Sequence, residues 1–314
     1  MRIGFDLGGT KMLASLLDDD GGIVARCKTR THGGDNESVY RQIVETIQCA
    51  LDKAEIGRDG LEAVGIAVPG PIDLDRGVVL DTPNVGISNF PLVDRLSGEL
   101  GCAVLLENDV NAGLWGEYVA GAAKGMRNVV GIFPGTGIGG GLILDGKLYR
   151  GKSGAAGEIG HITVQTDGRR CGCGNHGCLE TVASKTAIAR DLVLLAMNGQ
   201  SKVLAEAGAT DIRLIKSGLI AKALEAGEPA VAAVVAQAAR FLGVGMAAMV
   251  NTFDPEMVVI GGGLVEKVGS HITDIAVSTM RERAMPRIVA DVAVATAALG
   301  DDAVVVGAAD LTRR

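Results

Sequence analysis

A pattern of strand, tight glycine turn and strand occurs twice in this chain, at Asp6-Leu-Gly-Gly-Thr-Lys11 and at Phe133-Pro-Gly-Thr-Gly-Ile-Gly-Gly-Gly141. Apolar runs flank both turns, residues 2–7 and 12–17 around the first, 129–133 and 142–144 around the second, and each pair reads as a β-hairpin. A glycine turn leaves backbone N–H groups open to an anion. Facing each other across a cleft, two such turns would hold a nucleotide triphosphate from opposite lobes, with the hydroxyls of Thr10 and Thr136 on the phosphates.

The elements between the hairpins are mixed α/β. A third strand spans 23–29 after the turn Asp20-Gly-Gly22. Apolar spacing predicts a helix over 38–55, and residues 61–68 return to a buried strand. A short helix over 91–100, a strand over 103–106 and a helix over 110–120 capped by Asp109 complete a first lobe. The second lobe has an Ala-rich helical stretch over 184–252, a strand over 257–260 running into Gly261-Gly-Gly263, and a strand over 292–295. Residues 303–312 read as a helix returning to the first lobe. The expected boundaries are 1–120, with a C-terminal helix over about 301–314, for a small lobe, and 121–300 for a large one containing a zinc loop at 161–178.

With 314 residues, 47% of them hydrophobic, the chain can bury a large core. A net charge of −7 without a basic stripe argues against nucleic acid as a partner. The first residues lack a signal-peptide pattern, so the expected location is the cytoplasm. Residues 230–250 are the most membrane-like stretch, but Gln237 and Arg240 make it a buried helix, and no membrane partner is expected. Cys27, Cys49 and Cys102 are scattered singly in apolar surroundings and read as reduced core thiols.

A second concentration of chemistry lies at Gly157-Glu-Ile-Gly-His161 and Cys171-Gly-Cys173-Gly-Asn-His-Gly-Cys178-Leu-Glu180. Three thiolates and one imidazole at these spacings can wrap a tetrahedral zinc ion, with His161, Cys171, Cys173 and Cys178 as ligands. Cys171 and Cys173 are too close in sequence to pair easily, and three thiols leave one over. Four protein ligands leave no open position, so such a zinc is structural. His32, His176 and His271 have no comparable partners, although His176 lies inside the metal loop.

Two motif matches mislead. Gly135-Thr-Gly-Ile-Gly-Gly140 fits a dinucleotide fingerprint, yet a strand and the turn Asp145-Gly146 follow where a helix is needed. Residues 146–153 fit a phosphate-loop pattern, but Gly154-Ala-Ala-Gly157 makes a poor first helical turn.

Asp6 beside the first turn is a candidate ligand for hydrated magnesium, which prefers oxygen donors. Glu107-Asn-Asp-Val-Asn111 falls at a strand-to-helix junction. Asp109 there is a candidate general base for a hydroxyl attacking a γ-phosphate, although the segment taken alone reads as a helix cap. A polyhydroxy substrate needs several fixed polar partners, and Glu158, His161 and Glu180 around the cysteine cluster can supply them. The ring nitrogen of His161 not bound to metal could donate to a sugar oxygen.

Taken together, the Asp6, Glu107, Gly135, Gly157, Cys171 and Gly261 motifs resemble those of the ROK family of bacterial sugar kinases and repressors, in the family's order and over nearly the whole chain. The resemblance implies a two-lobed actin-like, hexokinase-like ATPase fold with ribonuclease H-like lobes and an interlobe cleft, ATP with Mg2+, a structural Zn2+, and a homodimer or tetramer. It places Asp6, Gly8, Gly9, Thr10, Lys11, Gly135, Thr136, Gly137, Gly261, Gly262 and Gly263 at the nucleotide. Asp109 resembles the family's base; Asn108, Glu158, His161 and Glu180 resemble its sugar contacts, with Gly70 and Asn84 in segments that approach the sugar. Family repressors carry a helix-turn-helix ahead of the first motif, and only residues 1–5 stand there in this chain. The expected activity is ATP-dependent phosphorylation of a hexose at its 6-hydroxyl, glucose foremost. N-acetylglucosamine, N-acetylmannosamine, fructose and allose are alternative substrates, and a non-catalytic sugar sensor is a rival of another class.

Overall fold

The glycine turn at residues 8–10 folds two apolar strands onto each other, and Asp20-Gly-Gly22 adds a third. In the computed structural model, which describes residues 1–82 and 84–313, β1 (Arg2–Leu7), β2 (Lys11–Leu17) and β3 (Ile23–Arg30) run antiparallel, with Asp6 opposite Leu13. Asp35 caps α1 (Asn36–Lys53) by accepting from Ser38 N, and β4 (Ala63–Val68) follows, buried at every residue. Three short strands, β5 (Ile72–Asp73), β6 (Val78–Thr82) and β7 (Ile87–Phe90), form a small sheet that the sequence pattern did not announce. After α2 (Leu92–Leu100) come β8 (Ala103–Asn108) and α3 (Asp109–Ala120). The five-stranded sheet has the order β3-β2-β1-β4-β8, in which β4 is parallel to both neighbours.

The second sheet repeats this plan. It contains β9 (Val129–Pro134), β10 (Ile138–Leu144), β11 (Lys147–Leu148), β12 (Met257–Ile260) and β13 (Ala293–Thr296), in the order β11-β10-β9-β12-β13. β9 and β10 form the antiparallel hairpin; β12 is parallel to β9 and β13. The helical stretch divides into α4 (Glu180–Ala183), α5 (Lys185–Met197), α6 (Lys202–Glu206), α7 (Ser217–Glu225) and α8 (Pro229–Phe253). Three more helices, α9 (Val265–Val268), α10 (Ser270–Arg283) and α11 (Pro286–Val289), lie between the last two strands. The expected buried helix corresponds to α8, which has the length and apolarity of a membrane span and inserts Val235, Leu242, Met246 and Val250 into the core.

The chain divides into two compact units, one of Met1–Gly125, Leu148–Ala156 and Ala298–Arg314, the other of Met126–Lys147 and Gly157–Ala297. Residues 121–125 and 148–156 thus join the first unit, whereas the sequence pattern assigns them to the second. The last helix, α12 (Asp302–Leu311), packs in the first unit against β1, β4 and α3. Its backbone comes so near the sheet that a Cβ on Gly4 would lie 1.8 Å from the Val305 carbonyl oxygen, and one on Gly65 would lie 1.9 Å from that of Ala308. Only glycine fits there.

Two expectations are corrected. Cys27 on β3 and Cys49 on α1 are joined in a disulfide, not separate thiols, because α1 packs on the sheet and brings their Cα atoms to 5.9 Å. Cys102 stays a free thiol. The cap of α3 is Asn108, not Asp109: its side chain accepts from Val110 N and Asn111 N, and the helix starts at Asp109.

Candidate active site and metal centre

In the first unit, the turn between β1 and β2 is closed by Gly8 N donating to the Lys11 carbonyl at 2.9 Å. Thr31, just beyond β3, braces it from outside: its N–H donates to Thr10 O at 3.1 Å and its hydroxyl to Gly8 O at 2.6 Å. Sequence reasoning gave Thr31 no role, since nothing local marks it. Asp6 stands one residue before the end of β1. Burial, and then the charge of Asp109, push its carboxyl up to about 7. A bound divalent cation would reverse that, and an oxygen donor in this position suits magnesium. The ammonium of Lys11 is ion-paired to Asp301, which also takes Lys28.

Asp109 is the first residue of α3. Because Asn108 supplies the cap, accepting from Val110 N at 2.9 Å and Asn111 N at 3.2 Å, the helix end does not depend on the Asp109 carboxylate, although its Oδ1 also accepts from Val110 N at 2.9 Å. Among the remaining predicted residues of this unit, Asn84 lies against Gly9, and Gly70 turns with φ +94° against the Asp81 carbonyl. Pro83, between Thr82 and Asn84, lies outside the described residues.

In the second unit, the hairpin of β9 and β10 turns through Gly135-Thr-Gly137, with Gly135 N donating to Gly137 O at 2.8 Å. Three bonds dock it on the start of α5: Lys185 N to Gly135 O at 2.9 Å, the Thr186 hydroxyl to Thr136 O at 2.7 Å, and Lys185 Nζ to the Thr136 hydroxyl at 3.2 Å. Sequence reasoning missed Lys185 and Thr186, for which the capping residue Ser184 was the only local signal. The third glycine cluster joins this loop, since Leu264 N donates to Pro134 O and Gly262 packs on the same carbonyl.

Glu180, at the start of α4, links the hairpin to the cysteine loop. Its Oε2 accepts from Ile138 N at 3.1 Å, and its Oε1 lies 3.7 Å from the Cys171 sulfur. A Cβ at Gly137 would fall 2.1 Å from Oε2, so the carboxylate occupies the space of a side chain there. Antiparallel bridges Thr163–Cys178 and Arg170–His176 close the loop on itself.

The ligand atoms of His161, Cys171, Cys173 and Cys178 lie within 4.8 Å of one another. His176 takes part only through its backbone bridge. Zinc held at about 2.3 Å from sulfur and about 2.0–2.1 Å from nitrogen sets tetrahedral edges of about 3.8 Å between sulfurs and about 3.6 Å between sulfur and nitrogen. Cys173 and Cys178 are 3.7 Å apart, and Cys171 is 3.5 Å from His161 Nδ1. The donor set and its spacing therefore fit zinc. Without metal, burial pushes the Cys178 thiol up to about 12 and also raises Cys171, while the Asn175 backbone lowers Cys173. A metal must displace these protons. With Nδ1 toward the sulfurs, His161 turns Nε2 toward Glu158 at 3.8 Å.

The model of the ROK family matches residues 2–314. The chain belongs to the ROK family. Among ROK proteins, the glucokinase of Streptomyces coelicolor is 37% identical over 317 residues, covering 100% of this chain and 98% of the relative. The crystal structure of a ROK family glucokinase from Streptomyces griseus in complex with glucose and AMPPNP has a TM-score of 0.83 to this chain at 36% identity, covering 99% of both chains. A xylose repressor of Caldicellulosiruptor bescii is 34% identical over 230 residues, which span 73% of this chain and 57% of the repressor. The ROK fold thus serves both kinases and repressors, and the choice rests on the site residues.

Proposed function

We propose that this ROK protein transfers the γ-phosphoryl group of ATP, with Mg2+, to the 6-hydroxyl of glucose. The observation that carries this reading is the placement of Asp6 with Asp109: two carboxylates within electrostatic reach, one near the end of β1 and one at the junction of β8 and α3, where Asn108 supplies the helix cap. A protein that only senses sugar needs neither. The similarity to a glucokinase structure with glucose and AMPPNP supports the same reading.

In this account Asp109 takes the proton of the 6-hydroxyl as its oxygen attacks phosphorus, and Asp6 orders the hydrated magnesium on the phosphates. Backbone N–H groups of residues 8–10 and 135–137, with the hydroxyls of Thr10 and Thr136, hold the phosphate oxygens, and residues 261–263 serve the nucleotide. Asn108, Glu158, His161 and Glu180 bind the sugar hydroxyls, with Gly70 and Asn84 lining their approach. His161, Cys171, Cys173 and Cys178 hold a structural zinc; when bound, it supplies a rigid junction and no open position for water. Family resemblance further suggests a cytoplasmic homodimer.

A coupled assay with ATP and a panel of glucose, N-acetylglucosamine, N-acetylmannosamine, fructose and allose tests the reading. Glucose should give the highest kcat/KM. Sugar binding without turnover of any hexose would instead favour the sensor, the reading to which the xylose repressor lends weight.

A further inference from the structure

Glu107 is buried to 1% exposure at the end of β8, next to the proposed base. Its Oε1 accepts from Asn108 N at 3.0 Å and from the Asn111 side-chain amide at 3.1 Å, so one oxygen gathers both flanks of Asp109. Its Oε2 pairs with Arg150 Nε at 2.6 Å. Arg150 comes from Leu148–Ala156, the segment that leaves the second sheet and belongs to the first unit. Its own carbonyl accepts from Ala156 N at 3.1 Å, closing a loop that leads straight into Gly157-Glu158.

A buried carboxylate is tolerated only when a charge and hydrogen bonds compensate it. Here the compensation is divided: Arg150 supplies the charge, and the Asn108–Asn111 turn supplies the hydrogen bonds. We propose that Arg150 and Glu107 act as one positioning unit for Asp109, fixing the turn from which the base reaches the sugar hydroxyl. The inference rests on Asp109 as base in the proposed kinase reaction. Arg150 acts through Glu107, not on phosphate or sugar directly. Removing the arginine leaves Glu107 buried without its cation, and the turn it anchors must shift. Small shifts suffice, because a base misplaced by about 1 Å can cost on the order of 10²-fold in rate.

The pair makes a distinctive kinetic prediction. Arg150→Met should lower kcat by about 10- to 100-fold, with the KM values for ATP and glucose within about threefold of wild type. Arg150→Lys, which keeps the charge but not the fork, should recover part of the loss. In a Glu107→Gln background the amide oxygen can still accept from Asn108 N and Asn111, and no buried charge remains to neutralise. There Arg150→Met should cost less than about threefold. Thermal melting of each variant reports on folding independently of turnover.

Equal losses from Arg150→Met in both backgrounds, or a loss confined to the ATP KM, would overturn the proposal and make Arg150 a direct ligand. Unchanged kcat in a folded Arg150→Met would overturn it as well. Wild-type protein without hexose turnover would instead overturn the kinase reading beneath it.

Discussion

The two glycine hairpins share a backbone plan and differ in chemistry. Both connect the first pair of strands in a five-stranded sheet of the same order, and Gly4 and Gly131 occupy like positions ahead of the turns. Counting back from the turns, the place of Asp6 in the first is taken by Phe133 in the second. The first loop is surrounded by charge, with Asp6, Asp109, Lys11 and Asp301 influencing one another. The second is gripped by backbone and hydroxyl contacts and one ammonium, that of Lys185, from α5, and by Glu180, which reaches back to the cysteine loop. In the proposed reaction both turns hold phosphate, and at the matching position before the turn only the first has a carboxylate, Asp6.

The largest effect expected from breaking this asymmetry comes from Asp6→Asn. Steady-state kinetics should show kcat lower by about 10²-fold or more, while the metal-free protein becomes more stable at alkaline pH. The sign follows from the raised carboxyl. With a folded value of about 7 against 3.8 unfolded, the native state holds the extra proton between those limits. Stability from this group is full below about pH 4 and declines as pH rises toward 7. Above pH 8 the amide should recover roughly 2–4 kcal/mol in urea melts, and at pH 4 it should recover almost nothing.

Cys173→Ser tests the brace on the other side. It should abolish stoichiometric zinc by metal analysis and raise the glucose KM by about 10- to 100-fold, the range typical when support around a metal site is lost. A zinc-free variant with unchanged glucose affinity would separate the cysteine loop from the sugar residues. Smaller still is the contrast between glycines. Gly137→Ala pushes a methyl against Glu180 and should lower stability by about 1–3 kcal/mol, with a raised ATP KM. At Gly9 the nearest atom to an added Cβ is 3.2 Å away, on the Asn84 side chain, and the same substitution should cost less than about 1 kcal/mol in chemical denaturation. The smallest change concerns Cys27 and Cys49. Thiol titration of unfolded, metal-stripped protein without reductant should count four thiols, Cys102, Cys171, Cys173 and Cys178, and two more only after reduction.

Features written in local chemistry were legible in the sequence. The glycine turns, the cysteine-histidine spacing and the Asn108-Asp109 junction each lie within a few residues, where periodicity and turn propensity operate. Residues 135–140 read as a hairpin because Asp145-Gly146 signals a second turn, and the structure has the strands Val129–Pro134 and Ile138–Leu144 on either side. What stayed hidden depends on packing between distant segments. Cys27 and Cys49 meet only because α1 lies across the sheet, and Thr31 braces Gly8 from just beyond the end of β3, 23 residues along the chain. The three short strands between residues 72 and 90 offer too few residues for a period to show. Arg150 sits in a stretch that imitates a phosphate loop, and its tie to Glu107 follows from the return of residues 148–156 to the first unit.

Side-by-side kinetics and calorimetry of wild type and Asp109→Asn test the assignment of Asp109 as the base. Wild type should show glucose-dependent ATP turnover, and the variant a loss of about 10²- to 10⁴-fold in kcat with glucose affinity retained within a few-fold. Turnover in Asp109→Asn close to wild type would contradict the assignment, since the proton of the 6-hydroxyl would then go elsewhere.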